Sequence, residues 1–171
     1  AHLRRWGIEA DDSAGQPLSR LPPGTLLIAM AEAVAERFAP VPLLTLLKHP
    51  LVMRGEARLP WLEGVRGLDL LLRGPRPQAG LHGIDLLLLP QDDDRHRGLR
   101  DRVRAWWPTA RAVLEPLETA FVDATGLAAQ LAALREQASA LSADAIWAGH
   151  QGHAAADLFT EMEAAAPEGP R

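Results

Sequence analysis

Residues 22–50 read PPGTLLIAMAEAVAERFAPVPLLTLLKHP. Prolines stand at the entrance (Pro22, Pro23), near the middle (Pro40) and at the end (Pro50). Proline suits the first turn of a helix, whose N–H groups lack intrahelical partners, and it ends a helix that it follows. Between the first two marks, Leu26, Leu27, Met30, Val34 and Phe38 recur at near-helical spacing. Between the next two, Leu43, Leu44, Leu46 and Leu47 make the apolar side of a shorter helix over Val41–His49. The stretch therefore predicts two amphipathic helices in succession.

The same grammar extends outward. Pro60 opens a third helix with Trp61, Leu62, Val65, Leu68, Leu71 and Leu72 on one side, and Gly74-Pro75-Arg76-Pro77 stops it. Residues 81–89 read as one or two helical turns, or as a short buried strand over Leu86–Leu89; periodicity does not decide. Asp92-Asp93-Asp94 lead a fourth helix, since acidic side chains suit the positive end of the helix dipole. Its apolar face is Leu99, Val103 and Trp106, and Pro108 interrupts it. A fifth helix spans 109–123 with Val113, Leu114, Leu117 and Phe121, and Pro116 marks a kink or a first turn. Thr125 is a suitable N-cap for a sixth helix with Leu127, Leu131, Leu134, Ala138 and Leu141. Ser142 caps a seventh, in which Ile146, Leu158 and Met162 are apolar. Upstream, residues 2–8 resemble a helix end broken by Gly7, and 8–18 a looping connection. The prediction is an all-α, irregular multi-helix domain of about seven helices. It comprises a connecting segment over 1–20, a helical domain over 21–166 and a tail over 167–171.

The chain has 171 residues, of which 47% are apolar, enough for one real core. The absence of cysteine excludes a disulfide framework, a thiolate metal site and a cysteine nucleophile within these residues. No stretch reaches the roughly 18 apolar residues of a membrane span, and no signal-peptide pattern opens the chain. A cytoplasmic location without membrane association is the expectation. The opening Ala1-His2-Leu3 suggests a piece of a longer protein.

No phosphate-binding glycine loop, GxSxG, HExxH or paired-cysteine spacing occurs. No catalytic or cofactor-binding residue is therefore assigned. His150, His153 and Asp157 share one helical face at spacings that suit a divalent metal; the alternative is a solvated face with incidental histidines. Asp92, Asp93, Asp94 and His96 have hard-cation chemistry, but adjacent helical residues splay, and capping explains them. Of the five tryptophans, Trp61 and Trp106 align with apolar stripes, and Trp6 and Trp107 are expected to be the more exposed.

Charge is unevenly spread beneath the net −4. Residues 54–111 hold eleven arginines and eight acids, whereas 112–171 hold two arginines and nine acids. Arg95, Arg97, Arg100, Arg102 and Arg104 crowd one helix. Arg97, Arg100 and Arg104 form a stripe opposite Leu99, Val103 and Trp106. With Arg95, these are the candidate contacts to nucleic-acid phosphates. The competing reading is a solvated face paired with Asp101 and the acidic last third.

Several segments resemble the AddB family of double-strand break repair proteins in its alphaproteobacterial form. They are Leu3–Leu18 (LRRWGIEADDSAGQPL), Val41–Val52 (VPLLTLLKHPLV), Trp61–Pro77 (WLEGVRGLDLLLRGPRP), Leu114–Glu118 (LEPLE) and Leu141–Leu158 (LSADAIWAGHQGHAAADL). The resemblance implies an internal, non-catalytic piece of an ATP-dependent helicase/nuclease subunit, similar to the helical 2B-type accessory insertion of superfamily 1 helicases. It implies an AddA-like partner subunit, sequence-independent contact with DNA, and ATP and Mg bound elsewhere in the parent complex. It carries no catalytic residue onto any position here. Lys48, His49 and Pro50 match a family motif for which only a structural role is expected. The rival reading is a free-standing helical protein-protein interaction module, motivated by the amphipathic stretch 127–141 and the acidic C-terminal third.

Overall fold

A computed structural model describes residues 16–90, 95–123 and 126–168. These form seven α-helices, with no strand among the described residues. They are α1 (Pro22–Ala35), α2 (Pro40–Lys48), α3 (Arg58–Leu72), α4 (Leu81–Leu87), α5 (Arg97–Asp123), α6 (Leu127–Ser142) and α7 (Gly149–Ala165). The all-α expectation holds, and residues 81–87 are helix rather than strand. The connector predicted over 1–20 is described only at its end, where Leu18–Arg20 makes one 3-10 turn. Asp92, Asp93, Asp94, Thr125 and Trp6 lie outside the described residues.

One apolar core joins all the helices. Leu26 and Met30 of α1, Leu43, Leu46 and Leu47 of α2, and Val65 and Leu68 of α3 are fully buried. Leu114 and Leu117 of α5 and Leu141 of α6 join them. Phe38 enters the same core from a left-handed turn after α1, where Arg37 and Phe38 have φ of 50° and 53°. Such backbone is costly for non-glycine residues. The turn is held because the Gly80 N–H donates to the Arg37 carbonyl at 2.8 Å.

The expected break at Pro108 does not occur: one helix, α5, runs through both Pro108 and Pro116. Proline deprives the carbonyl four residues earlier of its partner. Here both rings, and the carbonyl-bearing residues Arg104 and Ala112, lie on the exposed side. The freed carbonyls belong to the solvent side, while the buried face Val103, Trp107, Ala110, Leu114 and Leu117 continues uninterrupted.

The helical phase of α5 also differs from expectation. Trp107, expected exposed, is only 4% exposed. Its indole N–H donates to Asp85 Oδ1 at 2.7 Å. Trp106 lies at the border of the core, edge-on to Trp61 at 5.3 Å. In α7 the buried side is Gly152, Ala155 and Phe159, whereas Leu158 and Met162 are exposed. Ser142 does not cap α7. It is the last residue of α6, where its hydroxyl donates to Ala138 O and accepts from the Ile146 N–H, closing the corner between α6 and α7.

Lys48, His49 and Pro50 mark a polar joint between α1, α2 and α3. The last carbonyls of α2 are capped from α3: Trp61 Nε1 donates to Leu47 O at 2.8 Å and Arg58 to Lys48 O at 2.8 Å. Lys48 Nζ bonds Asp69 of α3 at 2.7 Å. His49 is buried. The Leu51 N–H donates to its Nδ1, so the neutral ring carries its proton on Nε2 and donates it to Thr25 Oγ1 at 2.9 Å. Burial, helped by the Arg58 charge, lowers the His49 pKa below its ordinary 6.5. The unfolded chain therefore takes up this proton near pH 6.5, and the folded chain only at lower pH. Stability contributed by neutral His49 is complete above about pH 6.5 and falls as the pH drops toward the folded-state pKa. Urea titrations at pH 7.5 and 5.5 are expected to show this loss, and His49→Gln to reduce it. An equal loss in both proteins would reject the assignment.

Candidate nucleic-acid interface

The basic region is built by α3 and α5. Gly64 seats the Trp106 indole and Gly67 meets the Val103 side chain, so the two backbones approach closely. Rising positions in α3 meet falling positions in α5, which makes the pair antiparallel. The C-terminal end of α3 therefore lies beside the N-terminal end of α5. Arg66, Arg73 and Arg76 of the α3 region are thereby brought to the same end as Arg95, Arg97 and Arg102, and all six are exposed. Arginines in the first turns of α5 have the wrong sign for the helix dipole, so their placement does not serve the helix.

The stripe expected along α5 does not survive intact. Arg100 is only 7% exposed and lies on the core face. Its guanidinium donates to the carbonyl of Leu87, the last residue of α4. A buried cation capping a helix C-terminus is a structural use of arginine. Arg104 is exposed, but Asp101 Oδ1 lies 2.5 Å from its guanidinium. Arg95 and Arg97 remain exposed as expected. Sequence reasoning did not single out Arg66 or Arg76, because only the antiparallel pairing brings them to this end.

Acids near this end are few among the described residues. Asp69 is engaged by Lys48 at 2.7 Å and Arg73 at 3.5 Å. The Lys48 hydrogen bond, against some burial and with help from the Lys48 and Arg73 charges, holds its carboxyl below the usual range. Asp101 is taken by Arg104. Arg66, Arg76, Arg95, Arg97 and Arg102 have no ion-pair partner among the described residues.

Two open clefts flank the pair. One, of about 570 Å³, lies at its end between Leu70, Arg76, Leu86, Arg95, His96 and Arg100. The other, of about 400 Å³, runs along the seam past Glu63, Arg66, Leu99, Arg102 and Trp106.

The remaining candidates are less assembled. His150, His153 and Asp157 are exposed on the outer side of α7. Among the described residues, no three His, Cys, Asp or Glu side chains are grouped so as to hold a metal ion. The inner side of α7 is fixed by Arg135 of α6, which bonds both oxygens of Glu163 and lies 5.4 Å over Trp147 and 5.6 Å over Phe159. The apolar side of α6 (Leu131, Ala138 and Leu141) is buried within the domain, so it offers no free amphipathic surface. Among the described residues no helix is long and apolar enough to cross a membrane. No protein-family model, curated protein or solved structure matches the chain.

Proposed function

We propose that the chain is a non-catalytic helical accessory unit of an AddB-like ATP-dependent helicase/nuclease subunit, and that it guides DNA by sequence-independent phosphate contacts during double-strand break repair. The observation that carries this reading is the set of exposed arginines without acidic partners among the described residues at the end where α3 meets α5. Phosphates attract guanidinium groups by charge-assisted hydrogen bonds that require no particular base. The five resembling sequence segments supply the family. In this reading the AddA-like partner, ATP and Mg belong to the parent complex, which works on DNA in the cytoplasm.

Binding is tested with labelled oligonucleotides across a salt series. Weak binding is expected, with a Kd on the order of 10–100 μM. It should be indifferent to sequence, with affinity falling linearly on log–log axes by about 0.7–0.9 per phosphate contacted. Absence of binding at low salt, or affinity unaffected by salt, rejects the DNA-guiding role. The family assignment is tested separately by the coding sequence flanking residues 1 and 171, where motor motifs are expected.

A further inference from the structure

We propose that the seam groove between α3 and α5 holds a phosphodiester of a passing nucleic-acid strand between Arg66 and Arg102, which makes the interface a two-helix cradle rather than a stripe along α5. This rests on the nucleic-acid reading above and assigns its contact point.

The groove, about 400 Å³ in volume, is lined on the α3 side by Pro60, Glu63 and Arg66, and on the α5 side by Leu99, Arg102 and Trp106. Arg66 and Arg102 thus line one cleft from opposite walls. Both residues are exposed, and neither has an ion-pair partner among the described residues. Leu99 and Trp106 give the cleft an apolar floor, which suits the carbon surface of a sugar or base beneath a charged phosphate. Close packing through Gly64 and Gly67 sets the two walls at a fixed spacing, so the arginines are presented by a rigid pair.

The stripe offers less. Arg100 is committed to the Leu87 carbonyl, and Arg104 is neutralised by Asp101. Arg97 stands about 140° around α5 from Arg102, so one strand in the seam does not reach both directly. Glu63 lines the same cleft. Its carboxylate opposes an anionic ligand, which provides a signature for this groove that general basicity does not.

The experiment is fluorescence anisotropy with a labelled oligo-dT strand at low salt, with far-UV CD confirming that each variant folds. The double variant R66A/R102A is expected to bind at least about tenfold more weakly. Its salt slope should shrink by roughly 1.4, at about 0.7 for each lost contact with a single strand. R97A/R104A should change affinity by less than about threefold, and Glu63→Gln should tighten binding about twofold or more, because it removes a like charge from the cleft. If R97A/R104A loses as much as R66A/R102A, or Glu63→Gln fails to tighten, the seam assignment falls while nucleic-acid binding stands. If the unmodified chain does not bind, both readings fall together.

Discussion

Replacing Gly64 by alanine is expected to lower the Tm by about 4–12 °C, although glycine-to-alanine within a helix ordinarily stabilises. The reason is local geometry. A Cβ at residue 64 would lie 2.2 Å from Trp106 Cδ2, 2.3 Å from Cε2 and 2.4 Å from Cγ. These atoms belong to the fused ring, not to the end of a flexible chain. Trp61 packs against the ring at 5.3 Å and Trp107 at 6.3 Å, so displacing it costs those contacts. Overpacking of this kind costs about 2–3 kcal/mol, and each kcal/mol moves the Tm of a domain this size by about 2–4 °C. Gly98 is the internal control: a Cβ there meets only Arg102 Nη1, at 3.9 Å. Gly98→Ala is therefore expected to raise stability by about 0.4–1 kcal/mol. A double-mutant cycle of Gly64→Ala with Trp106→Leu should show coupling of about 1–2 kcal/mol, since the smaller side chain vacates the space. If Gly64→Ala stabilises as Gly98→Ala does, α3 and α5 are not packed through Trp106, and the seam groove loses its walls.

How far the fold was legible depends on which signal each helix carried. Helices α1 to α3 are framed by prolines and filled with leucines at helical spacing, so sequence reasoning places them within one to three residues at most ends. In α5 the two internal prolines imitate boundaries. Their rings face water, and that orientation depends on the tertiary packing of Trp107 and Leu114, which no local pattern reveals. The same run of arginines also implies the wrong helical phase, because it marks Arg100, which is only 7% exposed, as a surface residue. A buried guanidinium capping a neighbouring helix has no hydropathy signal. In α7 the close-packing residues are Gly152 and Ala155, too small to mark a face, and Phe159 alone does not define a stripe. The candidate interface was half legible. Its α5 arginines stand out as a run, whereas Arg66 and Arg76 join them only through antiparallel pairing. The three-residue spacing of Gly64 and Gly67 was the one local sign of that close approach.

The second large effect is expected at Asp85, in the middle of α4. Helix α4 has seven residues, too few to persist alone in water. It is pinned to α5 at three points. Glu118 Oε1 accepts the Leu81 N–H at 3.0 Å at its start, and Arg100 donates to the Leu87 carbonyl at its end. Between them, Asp85 accepts from Trp107 Nε1 at 2.7 Å through Oδ1 and pairs with Arg111 through Oδ2. Asp85→Ala leaves the buried Trp107 N–H without an acceptor, at about 1–3 kcal/mol. The Arg111 contribution is smaller, about 0–1 kcal/mol, because that side chain is 30% exposed and keeps Glu115 at 3.0 Å. The expected total is about 1–4 kcal/mol by urea denaturation, with an unchanged m-value. Asp85→Asn separates the two parts. Its amide oxygen still accepts from Trp107 while the charge is lost, so about 1 kcal/mol or less is expected. In a Trp107→Phe background the extra cost of Asp85→Ala should shrink to the ion-pair part alone. A loss under about 0.5 kcal/mol for Asp85→Ala in the otherwise unaltered chain would mean that this bond does not hold α4 in place.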